Sequence, residues 1–519
     1  MKRERKARFA NLIFFSLLVF SLQLSADVQL VESAKNNDLA NVKFLLKKGV
    51  DANTSIADGT TALHWAVLRN NQEMVDLLIS AGAEPDPANE YGATPMWLAC
   101  NNTNPAMIDL LLEAGADPNA SLWSGESPLM KCSLTGAVSA VLALIKAGAY
   151  VDAIESVQGQ SAIMWAAAQG HSEIVRILID SGADLSAKTK ATADKLPHSC
   201  SSCEWKKSIG GFTPLLFAAR SGDISTIRLF MEAGADPNEA TTEHGNSLVI
   251  AAAGGHYELA LFLLKMGADP NSSDDTGLTA LHHAVGGGLA LLNGVIYDGV
   301  YRIQPKNSQK LARTLMEAGA DVNAQIFQDH LLGPDGTPFS MTGATPLLLA
   351  ATSADVEMIN LLQEFGANPG LATKGKVTPL IAAAQAACTG TCAYQEGGNV
   401  ASNEAVQRAF NATRAIFDMG GININATNNV GRSAIHIAAF TGSDIVVQYL
   451  AEQGADINLK DNRGETPWTM ALGMTTNIGN RGLYGYHEST ADLLLKLGAR
   501  VVTMKQLEED TPPYAGAGL

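Results

Sequence analysis

Residues 61–66 read T-A-L-H-W-A, and variants of this block return at 94–99 (T-P-M-W-L-A), 161–167 (S-A-I-M-W-A-A) and 213–219 (T-P-L-L-F-A-A). The residue that opens the block, a Thr, Ser or Asn, recurs eleven times along the 519 residues. The openings are Thr61, Thr94, Ser127, Ser161, Thr213, Asn246, Thr279, Thr345, Thr378, Ser433 and Thr466. Seven of the ten intervals lie within one residue of 33. A fixed period of this length predicts a linear stack of one small supersecondary unit.

Each repeat contains its own start and stop signals. The opening Thr or Ser is a favoured helix N-cap, and the Pro that often follows, as in Thr94-Pro95, suits the first helical position. Apolar residues at helical spacing in 74–79 predict a second helix. A Gly in the marker G-A-D fits the left-handed position that ends a helix, and D-P-N then predicts a β-turn, which we call a finger. Counting this second marker gives twelve units.

This pattern resembles the ankyrin repeat, whose consensus runs D-x-x-G-x-T-P-L-H-x-A-A, a G-H turn, an apolar second helix and G-A-D-x-N. Gly170-His171 and Gly255-His256 reproduce the turn, and the resemblance covers residues 27–500. It implies an all-α solenoid of about twelve helix-turn-helix units with β-turn fingers, which binds macromolecules on its concave face and finger tips and is rarely enzymatic. The blocks at 159–171 and 210–223 look like those of secreted bacterial ankyrin arrays.

The first 26 residues are predicted to be a signal peptide and not part of the solenoid. Five basic residues within 2–8 precede the apolar run Ala10–Leu24, and Ala26 is a small residue at the cleavage position. The run is too short to span a bilayer comfortably. We therefore expect cleavage after Ala26, a periplasmic or secreted protein, and no membrane span; an uncleaved anchor is the alternative.

The chain is acidic, with a formal net charge of −16 that becomes about −20 when five basic residues and one acidic residue leave with the signal. A protein that binds nucleic acid needs a clustered basic face, and the sequence shows no such cluster. Solubility explains the acidity, since most G-A-D turns contribute an Asp; a specific cationic partner is the alternative. We expect a monomer without a cofactor that binds another protein and no nucleic acid.

Six cysteines in an exported chain predict oxidation. They form three groups that are close in sequence: Cys100 with Cys132, Cys200 with Cys203, and Cys388 with Cys392. The first two take small positions on matching helices of neighbouring repeats, so a disulfide and a pair of buried thiols are equal alternatives. The other two groups lie in insertions, where disulfides would close short loops.

Several stretches interrupt the period and form candidate binding elements. They lie at about 185–209, 289–306, 325–341, 388–403 and 474–487, and residues 501–519 form a C-terminal tail. Drift in tolerated loops is the alternative, because loop length costs little free energy. The first insertion combines five lysines with Trp205 on an otherwise acidic chain, which makes it a candidate partner contact.

Motifs for metal, nucleotide or catalytic chemistry are weak. The motif H-x-C-x-x-C is formed by His198, Cys200 and Cys203 and supplies three potential metal ligands. A structural zinc site requires four ligands, so a disulfide is favoured over a metal. Glu204 stands where haem attachment needs a His. Residues 370–377 resemble a phosphate loop but lack the Ser or Thr that follows its Lys. Since no catalytic motif is visible, we do not expect an enzyme.

Most aromatic and histidine side chains of the repeated block are interpreted as packing residues. His64, His282 and His436 occupy the T-P-L-H position, where a structural hydrogen bond is expected rather than catalysis. Trp123 is different, because it falls at a finger tip beside Tyr91 of the preceding repeat. An aromatic ring there gains nothing from the core and is a candidate anchor for a partner.

The leading hypothesis is a periplasmic protein-protein interaction scaffold. Its predicted surface consists of finger tips (Tyr91, Trp123, His244, Arg463), first-helix residues (Arg69, Asn101, Asn102, Gln169, Arg220, Phe440) and Trp205 in the first insertion. Two other classes stay open. One is a redox or metal-handling accessory that uses the Cys200/Cys203 finger, and the other is an exported effector that acts on a host.

Overall fold

The computed structural model describes residues 28–195, 206–241, 243–286, 308–327, 341–386, 403–474 and 486–510. The chain divides into two compact units, unit 1 (residues 1–236) and unit 2 (residues 237–519). The described part of each unit contains six helix pairs. The predicted all-α architecture of about twelve repeats is therefore confirmed.

In unit 1, every repeat consists of a first helix followed by a second helix. The first helices are α1 (residues 28–35), α3 (Ala62–Leu68), α5 (Pro95–Ala99), α7 (Pro128–Thr135), α9 (Ala162–Ala168) and α11 (Pro214–Ser221). The second helices are α2 (Leu39–Lys47), α4 (Gln72–Ser80), α6 (Pro105–Glu113), α8 (Val138–Lys146), α10 (Ser172–Asp180) and α12 (Ile224–Glu232). Neighbouring first helices pack on each other from α3 to α11, and second helices do so from α6 to α12.

Unit 2 repeats the same arrangement. Its first helices are α13 (Ser247–Ala253), α15 (Ala280–Gly286), α17 (Pro346–Ser353), α19 (Pro379–Gln385), α21 (Ala434–Phe440) and α23 (Pro467–Ala471). Its second helices are α14 (Tyr257–Lys265), α16 (Ser308–Glu317), α18 (Val356–Glu364), α20 (Asn403–Asp418), α22 (Asp444–Glu452) and α24 (Glu488–Lys496). The first helices again pack in sequence order. A further helix, α25 (Met504–Asp510), lies in the segment predicted as a tail, so that segment is partly helical.

The first helices start where the sequence supplies a cap. Thr94 Oγ1 accepts a hydrogen bond from the Trp97 amide at 3.4 Å, and Ser127 Oγ accepts one from the Met130 amide at 3.2 Å. Pro follows the cap residue in α5, α7 and α11. Its missing N–H leaves no donor unpaired there, because the first amides of a helix have no partner within the helix.

Two short antiparallel hairpins accompany the helices. β1 (Thr192–Lys195) pairs with β2 (Lys206–Ile209) inside the predicted insertion at 185–209, so the described backbone of this enlarged finger contains a two-stranded ribbon. β3 (Ala240–Thr241) pairs with β4 (Gly245–Asn246) in a finger of unit 2. Both hairpins belong to fingers and leave the architecture helical.

The Asn of the D-P-N finger joins one repeat to the next. Asn53 Nδ2 donates to Gly82 O at 2.9 Å, and Asn53 Oδ1 accepts from the Glu84 amide at 2.7 Å. A single Asn side chain thus forms hydrogen bonds with a backbone carbonyl and a backbone amide that lie just after the second helix of the next repeat. The same two bonds recur at Asn119, Asn238, Asn271, Asn323 and Asn458. We call this arrangement the asparagine clamp.

Replacing Asn119 with Ala is expected to destabilise unit 1 by about 1–2 kcal/mol, because two hydrogen bonds between repeats are lost. Asn119 donates to Gly148 O at 3.1 Å and accepts from the Tyr150 amide at 2.8 Å. Urea unfolding followed by far-UV circular dichroism measures the change. Asn101→Ala is the matched control. Asn101 is exposed and lies just after α5, so this variant should leave the midpoint unchanged. Equal midpoints for both variants would contradict the clamp's role.

The fingers of unit 1 are also hydrogen-bonded to each other through their backbones. These bonds run from the amides of Glu90, Trp123, Ser156 and Lys190 to the carbonyl oxygens of Asp58, Tyr91, Ser124 and Gln158, at 2.8, 3.3, 2.7 and 2.7 Å. Each finger is therefore held against its neighbours. The bonds join five successive fingers, the last of which contains Lys190. We call the first four of them, at residues 49–60, 82–93, 115–126 and 148–160, the finger edge.

Candidate functional site

Trp123 and Tyr91 lie on adjacent fingers of the finger edge and face solvent. Trp123 is 73% exposed and Tyr91 is 67% exposed. Trp123 Nε1 donates to Glu90 O at 2.8 Å, so the indole is fixed to the preceding finger. Gly92 has a φ of +78°, and a Cβ there would lie 2.8 Å from the Trp123 amide nitrogen. The two rings are thus held in place without being buried, as expected of residues that anchor a partner.

A carboxylate accompanies the Tyr91 ring. Hydrogen bonding and the negative charge of the exposed Glu90 side chain raise the pKa of the Tyr91 phenol. The finger tip therefore combines an aromatic face with a negative charge.

Three further apolar side chains of the finger edge are exposed, and the sequence interpretation missed them. Tyr150 is 69% exposed, Ile154 is 51% exposed and Val157 is 65% exposed. Tyr150 takes the third position of the G-A-D marker, where Asp117 stands in the preceding repeat. The sequence signal that could have identified Tyr150 is an aromatic residue at a position that is Asp or Glu in most other repeats.

The structure describes five predicted contact residues at or just after the C-terminal ends of the first helices of unit 1, and we call this region the first-helix surface. They are Arg69, Asn101, Gln169 and Arg220, which are exposed, and Asn102, which is half-buried. Arg69 Nε donates to Lys35 O at 2.9 Å, and Asn102 Nδ2 donates to Val67 O at 2.6 Å. These two side chains therefore also join neighbouring repeats, which the sequence did not predict.

The other predicted contact residues are separate from this group. His244, Phe440 and Arg463 belong to unit 2 and are half-buried. Trp205 lies outside the described residues. Unit 1 thus holds most of the predicted surface, and among the described residues its aromatic members are the two rings of the finger edge.

Three tryptophans on the first helices of unit 1 are half-buried: Trp65, Trp97 and Trp165. Lys35 Nζ lies 5.4 Å from the centroid of Trp65, and Lys131 Nζ lies 4.9 Å from the centroid of Trp97. Among the residues that the structure describes, the three indole N–H groups have no hydrogen-bond acceptor. Because these nitrogen atoms are themselves buried, a partner's carbonyl groups cannot reach them unless the first helices rearrange.

Cys100 and Cys132 form a disulfide between α7 and the end of α5, with their Cα atoms 4.7 Å apart. Both side chains are fully buried. The other four cysteines, Cys200, Cys203, Cys388 and Cys392, lie outside the described residues, as does His198. In the described part of the chain, no group of three or more His, Cys, Asp or Glu side chains is arranged to hold a metal ion.

Reducing the Cys100–Cys132 disulfide is expected to destabilise unit 1 by about 2–4 kcal/mol, because the bridge constrains the unfolded chain. It joins residues that are 32 apart in sequence. Urea unfolding with and without dithiothreitol measures the effect. Because Cys200 and Cys203 also belong to unit 1, the double variant Cys100→Ala/Cys132→Ala is the control, and reductant should shift its unit 1 midpoint much less than that of wild type. An equal shift in wild type and variant would contradict the prediction.

The histidines of the T-P-L-H position have structural roles. In α3, His64 is buried, its Nδ1 accepts from the Thr61 amide at 3.1 Å, and its Nε2 therefore donates to Ala93 O at 2.9 Å. Burial lowers the pKa of His64, so the ring is neutral in the fold. His282 and His436 repeat the bond to the cap residue, at 3.2 Å from the Thr279 and Ser433 amides.

Unit 2 contains a buried ionic cluster between two fingers. Arg432 Nε is 3.0 Å from Asp461 Oδ2, and Arg432 Nη2 is 2.9 Å from Glu465 Oε2. The side chains of Asp461 and Glu465 are 1% and 0% exposed. Asp461 also accepts hydrogen bonds from the backbone amides of Arg463 and Glu465. The cluster therefore joins neighbouring repeats.

Comparison with known proteins agrees with this architecture. A family model described as ankyrin repeats in three copies matches residues 30–122, 119–189, 195–274 and 215–326. A second ankyrin repeat model matches residues 420–471, and a single-repeat model matches residues 342–374. Within the described residues, no helix has both the length and the apolar character needed to cross a membrane.

The sequences of several known proteins match parts of this chain. An ankyrin repeat protein of Acanthamoeba polyphaga mimivirus is 41% identical over 51 residues, 10% of this chain and 7% of its own length. Ankyrin repeat and SAM domain-containing protein 6 of Danio rerio is 27% identical over 218 residues, 40% of this chain and 29% of its own. E3 ubiquitin-protein ligase KEG of Arabidopsis thaliana is 26% identical over 360 residues, 66% of this chain and 19% of its own. This chain thus spans less than a third of each of these relatives. Because one family model alone matches more than half of it, the chain belongs to the ankyrin repeat family.

Proposed function

We propose that the chain is a protein-binding scaffold, not an enzyme, and that it contacts its partner through the finger edge and the first-helix surface of unit 1. Ankyrin repeats are generally protein-protein interaction modules. The observation that carries the proposal is the pair of exposed rings at Tyr91 and Trp123. Because hydrogen bonds between fingers already fix their backbone, the fingers lose little further conformational freedom when a partner binds them.

Photocrosslinking in intact cells tests this surface directly. The crosslinker p-benzoylphenylalanine replaces Tyr91 or Trp123 in the full chain, and we expect one discrete crosslinked protein from both positions. Phe44 on α2 and Leu142 on α8 are the control positions, because they are 52% and 50% exposed but lie on second helices. Products of the same size from all four positions, or from the control positions alone, would contradict the proposed surface.

We also propose that the scaffold works as a monomer outside the cytoplasm, in the periplasm or beyond it. The order of basic, apolar and small residues in 1–26 supports export, and the Cys100–Cys132 disulfide suits an oxidising compartment. In a bacterial host we expect the tagged chain in the periplasmic extract, with its N-terminus at Asp27 and the mass of a monomer in light scattering. An uncleaved chain in the membrane fraction would contradict export by cleavage, and recovery from the medium would favour the exported effector.

The enlarged finger at 185–209, which contains Trp205, is a proposed second contact. Replacing residues 188–207 with a short Gly-Ser loop is expected to keep the melting temperature and to remove the crosslinked partner. If the partner is still captured, the contact lies on the finger edge or the first-helix surface alone.

A further inference from the structure

The finger edge is uniformly acidic. Its four fingers carry nine carboxylates and contain neither Lys nor Arg. The carboxylates are Asp51, Asp58, Glu84, Asp86, Glu90, Asp117, Glu126, Asp152 and Glu155. Glu155 is buried and accepts hydrogen bonds from backbone amides, whereas Asp51, Glu84, Glu90, Asp117 and Asp152 are exposed. Charges of one sign along one edge produce a field that attracts cations.

Lysine and arginine side chains of the flanking elements lie outside the four fingers, and Lys47, Lys48 and Lys146 stand at the ends of second helices. Lys190 belongs to the next finger, and its Nζ donates to Ser156 O at 2.9 Å, which marks where the acidic stretch ends. On the first helices, Arg69 Nε donates to Lys35 O and Lys131 lies over the Trp97 ring. In the described residues, no salt bridge joins one of these cations to a carboxylate of the finger edge.

Apolar side chains mark three consecutive fingers of this edge. Tyr91, Trp123 and Val157 are 67%, 73% and 65% exposed, and backbone hydrogen bonds join their fingers in order. Aromatic faces attract ammonium and guanidinium groups, and Trp is the strongest of them. The Glu90 carboxylate beside the Tyr91 ring adds a charged acceptor at the same place.

We propose that the finger edge of unit 1 binds an extended, arginine-rich or lysine-rich segment of a protein, whose cations lie over the Tyr91 and Trp123 rings and beside the exposed carboxylates. Packed helices are roughly 8–10 Å apart, so successive fingers repeat at about this distance. An extended chain advances about 3.3 Å per residue. The segment that fits therefore carries a basic residue at about every third position.

The charge excludes other occupants. Pairing with the same edge of a second copy would bring like charges together, and nucleic acids or anionic membranes would also be repelled. Guanidinium groups suit the site best, because they stack on aromatic rings and pair with carboxylates in one plane. This inference rests on the proposed function and names the chemistry of its partner.

Fluorescein-labelled peptides of about 12 residues test the inference on the full chain, with the repeat Arg-Gly-Ser as the probe. The matched peptides have the repeat Glu-Gly-Ser, the repeat Gln-Gly-Ser, or all the arginines placed together at one end. Fluorescence anisotropy at about 50 mM salt should show the tightest binding for Arg-Gly-Ser, weakened about tenfold or more at 300 mM. Binding of the clustered peptide should be weaker, because its charges cannot reach successive fingers.

Variants locate the binding site. Tyr91→Ala/Trp123→Ala should weaken binding of the Arg-Gly-Ser peptide about tenfold or more, and Glu90→Gln/Glu126→Gln should weaken it about threefold and flatten the salt dependence. Phe44→Ala/Leu142→Ala on the second helices is the matched control and should bind like wild type. Circular dichroism confirms that every variant is folded.

The possible outcomes distinguish a failure of this inference from a failure of the proposed protein-binding function. If the neutral or acidic peptide binds as well as the basic one, or the ring variant binds unchanged, the inference is wrong while protein binding at another surface stands. If the chain retains none of the peptides and also gives no crosslinked protein in cells, both the inference and the proposed function are wrong.

Discussion

Replacing Arg432 with Met is expected to lower the free energy of unfolding of unit 2 by about 3–5 kcal/mol. The Arg432 guanidinium is 3.0 Å from Asp461 and 2.9 Å from Glu465, and both carboxylates are almost fully buried. Without the cation, two negative charges remain in a site that water does not reach, and this penalty exceeds the loss of the hydrogen bonds themselves. Urea unfolding combined with hydrogen exchange of residues 421–474 measures the loss and its location.

Two variants show whether charge is the cause. Arg432→Met/Asp461→Asn/Glu465→Gln removes the buried charges together with their partner, so it should recover part of the stability that Arg432→Met loses. Arg432→Lys keeps the charge but not the planar fork, and we expect a loss of about 1–2 kcal/mol. If Arg432→Met unfolds within about 1 kcal/mol of wild type, the cluster does not hold these repeats together.

Acidification from pH 7 to about pH 5 is expected to destabilise unit 2 by roughly 4 kcal/mol through two histidines. Burial lowers the pKa of His282 and the pKa of His436 to about 4 each. In the unfolded chain both return to the ordinary value of about 6.5, so between these values the unfolded state binds more protons. Stability is therefore present above pH 6.5 and is lost as the pH falls, by about 2 kcal/mol per histidine at pH 5.

A variant within the repeat pattern isolates this contribution. Leu348 occupies in α17 the position that His436 occupies in α21, so His436→Leu places there a residue that the fold already uses. Urea midpoints of unit 2 at several pH values should show a shallower decline in this variant, by about half of the histidine contribution. An unchanged slope would mean that other groups control the acid response.

The twelve helix pairs were predictable because their signals are local. Thr94 and Pro95 start α5, and Gly82, with a φ of +92°, ends α4 in the left-handed conformation. Each repeat contains its own version of these signals, so they could be counted across the insertions. Helix α25 was missed because its residues lie beyond the last repeat, where the period gives no information.

The candidate site was predictable only where one residue departs from the repeat pattern. Trp123 and Tyr91 could be selected because an aromatic residue at a finger tip has no role in the core, and the structure leaves both exposed. The bond from Asn102 to Val67 O and the Arg432 cluster could not be predicted. Both join side chains or backbone of different repeats, and such pairings depend on three-dimensional spacing and not on any local sequence pattern.

The asparagine clamp has a consequence for how this chain can change over generations. Its two hydrogen bonds are the same whether 29 residues separate Asn53 from Gly82 or 48 separate Asn271 from Gly319. A segment can therefore be gained or lost between the two partners of a clamp while the joint to the next repeat is kept. Selection can then reshape an inserted loop for a new ligand while the scaffold that carries it stays nearly as stable as before.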